Sequence, residues 1–205
     1  RLSIGVQSFR DEDLKYMNRA HTAIEALNSI KMAQDAGFQN ITIDLIYGTP
    51  GMSNVDWKYN LIKSFALNIP HISSYALTVE EKTPLYYQIL KKNLGPVDEQ
   101  QSADQFKILM AEMLRHGYEQ YEISNFCKDN SYSKHNSSYW KKDHYLGLGP
   151  SAHSYFGNSR LSNVSNNVKY VKSLYTSKLP LLEESLSTQD MYNEYVMTSL
   201  RTKWG

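Results

Sequence analysis

A chain of 205 residues, 41% of them hydrophobic and 21% charged, has room for one large domain or two small ones of ordinary globular composition. A net charge of +1 gives no electrostatic reason for nucleic acid or an acidic membrane as partner, and no apolar run approaches the roughly 20 residues that span a bilayer. The single cysteine, Cys127, excludes an internal disulfide framework and any multi-cysteine metal site built by this chain alone, and it fits a reducing cytoplasm.

The first predicted element is a strand, Leu2–Gln7. Period-two alternation puts Leu2, Ile4 and Val6 on an apolar face and Ser3, Gly5 and Gln7 on a small, polar one. Residues 11–18 read as a short helix with acidic residues in its first turn. Thr22, with Glu25 three residues on, forms a capping box for a second helix. Its Ile24, Leu27 and Ile30 recur at helical spacing, and Gly37 ends it. Ile41–Tyr47 is a run of β-formers closed by Gly48 and Pro50, the pattern of a strand buried on both faces in a parallel sheet. Alternation places Thr42, Asp44 and Ile46 on one side of it. A carboxylate inside such a strand is costly to bury unless a partner or ligand uses its charge. A helix over residues 54–67 leads to a third strand, residues 72–77, with Ser73, Tyr75 and Leu77 on one face. This β-α-β-α-β series, joined by right-handed crossovers, describes part of a β/α barrel. In such barrels the ligand sits at the carboxyl ends of the strands, where Gln7, Asp44 and Tyr75 lie.

Residues 84–92 look helical and lead into Asn93-Leu94-Gly95-Pro96, a turn-rich segment that divides the chain into domains over 1–93 and 94–205. Residues 98–116 form a long amphipathic helix whose buried stripe is Phe106, Leu109, Met110, Met113 and Leu114, ended by Gly117. Residues 121–124 read as a strand. Residues 125–149, rich in Ser, Asn, Tyr and Lys, read as a long loop, and long ordered loops are usually functional. Helices follow over 167–177 and 188–202. The fold class expected is α/β in the first domain and mostly helical α+β in the second.

Several motifs in this order resemble one family. They are Gly5-Val6-Gln7-Ser8-Phe9, Asn18-Arg19, Ile43-Asp44-Leu45-Ile46-Tyr47-Gly48-Thr49-Pro50 and Tyr121-Glu122-Ile123-Ser124-Asn125-Phe126. His135-Asn136-Ser137-Ser138-Tyr139-Trp140 and Tyr145-Leu146-Gly147-Leu148-Gly149-Pro150-Ser151-Ala152-His153-Ser154-Tyr155 complete the set. Together they resemble radical S-adenosylmethionine proteins of the oxygen-independent coproporphyrinogen III oxidase group. Within it, His-Asn-x-x-Tyr-Trp marks a HemW-like branch of heme chaperones. The family holds a [4Fe-4S] cluster on a Cys-x-x-x-Cys-x-x-Cys loop, which this chain lacks. The resemblance therefore implies the last three strands of a six-stranded partial barrel plus much of a C-terminal domain. Such a piece is expected to be inactive by itself and to self-associate through the edge of Leu2–Gln7.

The resemblance implies that Gln7, Arg19 and Asp44 contact S-adenosylmethionine. Chemistry agrees: a carboxylate accepts ribose hydroxyls, an amide donates and accepts, and a guanidinium matches a carboxylate bidentately. Without it, Arg19 reads as a surface residue at a helix end. Tyr75 and Thr78 resemble positions lining the adenine or a second cofactor pocket, with core packing as the other reading. His135 is the candidate axial heme ligand, with Tyr139 and Trp140 as flat surfaces for a porphyrin and His144 and His153 as secondary candidates. The bland reading is that His135-Asn136 cap a turn while Tyr139 and Trp140 anchor a loop. Two functions compete: capture of heme for a recipient protein, and radical decarboxylation of coproporphyrinogen III to protoporphyrinogen IX.

Overall fold

Three parallel strands organise the first part of the computed structural model, which describes residues 1–205. They are β1 (Leu2–Gln7), β2 (Ile41–Tyr47) and β3 (His71–Ala76), separated by α1 (Asp11–Tyr16), α2 (Ala23–Asp35) and α3 (Asn54–Ala66). Ile43 and Leu45 of β2 are fully buried and share one core cluster with Ile30 of α2 and with Trp57 and Leu61 of α3. Each such side chain contributes about 1.5–3 kcal/mol by leaving water. The capping box of Thr22 and Glu25 is formed, and Gly37 takes the left-handed turn after α2 at φ +84. Ser53 and Asp56 build a second capping box at the start of α3.

After α4 (Pro84–Leu90), α5 (Glu99–Arg115) returns to the same sheet and packs on α3. Its buried residues are Gln105, Leu109 and Met113, whereas Leu114 is 77% exposed. The expected stripe is thus rotated by one residue, and Met110 and Leu114 leave it. The cause is Gln105, which is wholly buried yet fully used. Its Oε1 accepts from the Gly48 amide at 2.7 Å and its Nε2 donates to the Met52 carbonyl at 2.9 Å. The Gln105 carbonyl in turn accepts from Trp57 Nε1 at 3.0 Å. Gly48 sits at φ +76, and a Cβ there would lie 2.3 Å from Ser102 Oγ, so glycine is required.

Two further strands, β4 (Glu119–Glu122) and β5 (Asn125–Cys127), complete a five-stranded sheet of order β1-β2-β3-β5-β4. β5 runs antiparallel to β3, with Ser73 opposite Asn125 and His71 opposite Cys127. The chain therefore divides into compact units after Tyr132, not at the expected 93/94 boundary. Backbone pairing overrides the turn signal at Gly95-Pro96, because β5 satisfies the edge of β3, β4 pairs with β5, and α5 packs against α3. Cys127 is buried in the sheet. The expected loop over 125–149 instead holds β5 and α6 (Lys134–Trp140).

The second unit, Ser133–Gly205, adds β6 (His153–Phe156), β7 (Ser159–Asn163), α7 (Asn167–Tyr175), β8 (Leu181–Ser185) and α8 (Thr188–Ser199). Its three strands form an antiparallel sheet of order β6-β7-β8. β6 and β7 meet at a two-residue Gly157-Asn158 turn with Gly157 at φ +61, the place a type II′ hairpin reserves for glycine. Arg160 of β7 ties to Glu184 of β8 at 3.3 Å and to Glu194 of α8 at 2.6 Å. No helix is long and apolar enough to cross a membrane.

Two predictions follow from the core of the first unit. Gln105→Leu strips the Gly48 amide of its acceptor, while the Met52 carbonyl keeps Gln101 as donor. Stability should fall by about 1–3 kcal/mol, the cost of one buried unpaired group. A urea midpoint equal to that of the parent chain would refute this.

The second concerns His71, which is 1% exposed and holds the Tyr121 hydroxyl at 2.8 Å. Burial, with the Arg1 guanidinium nearby, pushes its pKa down to about 3. The unfolded chain takes up a proton below about pH 6.5, whereas the fold resists until about pH 3. Stability is lost as pH falls through that window, by at most about 1.4 kcal/mol per pH unit. His71→Gln should flatten the acid limb of a stability-against-pH curve; an unchanged slope would count against the assignment.

Candidate functional site

The sheet of the first unit has two unlike sides. Ile43, Leu45, Ile72 and Phe126 face the helices within the core cluster, and Ile4 packs against it. The opposite side is polar, because in-register neighbours point the same way. Asp44 of β2 stands beside Ser73 of β3, Ser73 beside Asn125 of β5, and Asn125 beside Glu122 of β4. Ser73 Oγ donates to Asn125 Oδ1 at 2.7 Å, and Asn125 Nδ2 donates to Glu122 Oε1. Ser73, Asn125 and Glu122 are all buried.

Asp44 is half-buried near the open end of this polar row. Burial raises its pKa above the ordinary carboxylate range, and the Ser73 and Ser3 hydroxyls pull it back only in part. Tyr75, two residues beyond Ser73, is 45% exposed. Burial of its phenol, with the carboxylates of Asp44 and Glu122 close by, raises its pKa as well. The structure thus brings Asp44 and Tyr75 into one cluster with Ser73, Asn125 and Glu122. A carboxylate with a phenol beside it, opening to solvent, can receive a ligand that offers hydroxyl or amine hydrogens.

Gln7 ends β1 at φ +67, after the register between β1 and β2 shifts beyond Ile4. Its amide folds over Gly5, where a Cβ would lie 2.7 Å from Gln7 Nε2, so Gly5 makes the room that Gln7 occupies. Arg19 is exposed in the loop after α1. Its backbone amide donates to the Leu14 carbonyl at 2.9 Å, and His21 Nε2, two residues on, lies 3.1 Å from the Val6 carbonyl. That anchor holds the Arg19 loop at the carboxyl end of β1. Thr78 is exposed beyond β3, with its hydroxyl 3.5 Å from the Ala76 carbonyl. Arg19 and Thr78 lie outside the hydrogen-bonded cluster.

Asn125 and Glu122 are the members that reading the sequence element by element misses. The division at 93/94 assigned them to another domain. Their sequence signal is the polar pair itself, Glu122 and Asn125, set between the aromatic residues Tyr121 and Phe126.

In the second unit, α6 carries His135 and Tyr139 on one exposed face, four residues apart. Their rings meet edge-on at 5.1 Å, with the Tyr139 hydroxyl 3.2 Å from His135 Nε2. Trp140 is on the neighbouring face with Asn136, one turn earlier. Asn136 Nδ2, Ser137 Oγ and Trp140 Nε1 are all buried without a hydrogen-bond partner, an unusual concentration on one short helix. Ser133 caps α6 through the Asn136 amide, so His135 itself is not the cap. His144 is engaged differently, its Nε2 accepting from the Gly157 amide at 3.0 Å. His153 is exposed on β6, where Gly147 packs so closely that a Cβ would lie 2.1 Å from the His153 carbonyl oxygen.

No family model matches the chain. It is 35% identical over 206 residues to the heme chaperone HemW of Bacillus subtilis, covering all of this chain and 54% of that protein. The heme chaperone HemW of Lactococcus lactis is likewise 35% identical over 205 residues, with 54% of it covered. A mitochondrial protein of Dictyostelium discoideum, radical S-adenosyl methionine domain-containing protein 1, is 38% identical over 164 residues, 75% of this chain and 36% of its own length. The chain therefore spans about half the length of the curated relatives it matches. Among solved structures, coproporphyrinogen III oxidase (HemN) from Escherichia coli, a radical SAM enzyme, superposes on 98% of this chain and 49% of its own at a TM-score of 0.77 and 22% identity. That likeness gives the α/β fold expected from the strands and helices. Along its whole length the chain is thus similar to heme chaperones named HemW, on a fold shared with a radical SAM enzyme.

Proposed function

We propose that this chain serves a heme chaperone, binding S-adenosylmethionine on the polar side of the first unit and heme on α6 of the second, in the cytoplasm, for delivery to a recipient protein. The observation that carries the reading is the pair of His135 and Tyr139, exposed together on a helix with three unpartnered buried polar atoms. When bound, heme supplies an iron that accepts a neutral imidazole nitrogen. A hydrogen bond on one ring nitrogen decides which nitrogen remains for the metal, and Tyr139 occupies Nε2.

In the first unit Asp44 would accept the ribose hydroxyls, Gln7 would donate and accept beside it, and Arg19 would pair with the methionyl carboxylate. Tyr75 and Thr78 would line the adenine side. The [4Fe-4S] cluster does not fit the residues present, since the one cysteine, Cys127, is buried in β5. Decarboxylation of coproporphyrinogen III is the alternative, and it rests on the fold shared with HemN alone.

His135→Ala in the full-length protein should weaken heme binding by about tenfold or more and shift the Soret band, since an axial ligand is lost. Absorbance titration with an unchanged band and affinity would remove His135 from the site. Asp44→Ala should weaken S-adenosylmethionine binding by about 1.5–3 kcal/mol, against roughly 1 for Ser73→Ala, because one loses a charged hydrogen bond and the other a neutral one. Calorimetry showing equal affinities would sink that assignment. Asp44 has a second consequence. Its folded pKa lies above the unfolded value, so the stability tied to it is complete below about pH 3.9 and declines as pH rises through the folded value. Asp44→Asn, without ligand, should melt above the parent at pH 7, and the gap should close in acid.

A further inference from the structure

Beside Tyr139 the second unit contains a cavity of about 330 Å³. Three tyrosine rings wall it: Tyr139 and Tyr145 meet edge-on at 4.8 Å, and Tyr145 and Tyr155 lie 6.2 Å apart. Met197 of α8 adds a deformable apolar surface. Three tyrosines around a hole would ordinarily suggest a cage for an organic cation. The charges at the wall exclude that. Arg160 and Lys142 both reach the cavity, and Glu194 is the one carboxylate among its lining residues. Glu194 is spent on Arg160 at 2.6 Å, with Glu184 on the same guanidinium at 3.3 Å. Lys142 Nζ donates to the Met191 carbonyl at 3.0 Å and faces no carboxylate within ion-pair distance. The cavity is therefore flat-walled and aromatic, and Lys142 is its one cation without a carboxylate partner.

We infer that this cavity is a carboxylate subsite, in which the tyrosines hold the edge of a flat aromatic ligand and Lys142 pairs with its acid side chain. The inference rests on the heme reading of α6 and extends it, since Tyr139 lines the cavity and also holds His135. The volume lies near the lower end of the range for ligand pockets, about 300–1,000 Å³, which suits one edge of a porphyrin with its propionate and leaves the rest of the macrocycle outside. Lys142 also occupies a left-handed position, φ +58, just after α6, where glycine is the cheaper residue. Replacing it by glycine therefore relieves the backbone while removing the charge.

The test uses the full-length protein and two probes, heme and heme dimethyl ester, titrated by Soret absorbance. The parent should bind the diacid about tenfold more tightly than the ester, the loss expected for one charged hydrogen bond. Lys142→Met and Lys142→Gly should both cut that preference to near one while leaving ester affinity unchanged, and Lys142→Arg should restore it. Equal binding of the two probes by the parent overturns the subsite, as does a preference that survives in both variants. Equal loss of diacid and ester in the variants also overturns it, because Lys142 would then act only through the fold. In each of those cases heme binding that still depends on His135 leaves the heme reading standing. If neither probe shifts the Soret band of the parent, both readings fall together.

Discussion

The constraint on which the first unit depends is the alternation of β2. Every second side chain of Ile41–Tyr47 enters the dry layer under α2 and α3, so the intervening ones have nowhere to go but the opposite side. Slipping the strand by one residue would put Asp44 among Ile30, Trp57 and Leu61 and expose Ile43 and Leu45. The charge of Asp44 thus enforces the register as strongly as the apolar residues do. That charge is costly: burial raises its pKa, and nothing cationic compensates it within the sheet. A half-buried carboxylate without a cation at its side adds little to stability, which makes Asp44 a candidate for a functional role.

Polar groups on this side are satisfied across strands, not along them. Ser73 reaches Asn125 and Asn125 reaches Glu122, so β3 needs β5, and β5 needs β4. Buried networks of this kind are rigid when complete and costly when broken. At the far end of the same face, Arg1 bonds Thr42 at 2.7 Å and the Tyr132 carbonyl at 3.1 Å, which secures the last turn of the unit to its first strand. The polar side is therefore built by residues 1–132 acting together, although its first three strands end at Ala76.

Much of this was legible beforehand because it depends on short-range rules. Capping at Thr22, the face shared by Thr42 and Asp44, and the helix limits near 54 and 99 all follow from spacing of two, three or four residues. What escaped depends on contacts far apart in the chain. Gln105 looks like a surface residue of an amphipathic helix until Gly48 and Met52, more than fifty positions away, claim its amide. β7 reads Ser-Arg-Leu-Ser-Asn, a poor strand by composition, and forms because β6 and β8 flank it. The motif around His135 was visible as a motif, but its division into an exposed pair and a half-buried Trp140 appears only once residues 134–140 are helical.

The antiparallel turn-back at β5 has a directional consequence. A parallel series can ordinarily be extended from either side. Here one flank is capped, because β5 takes up the ladder groups of β3 in the opposite sense and β4 pairs back onto β5. Extension of the parallel ladder is thus one-sided, like a filament with a single live end, and that end is β1. Its outward groups define where any further strand must join, and a strand joining there continues the face that carries Ser3, Gly5 and Gln7. Whatever pairs with β1 therefore borders the same polar face as Asp44, one strand further out.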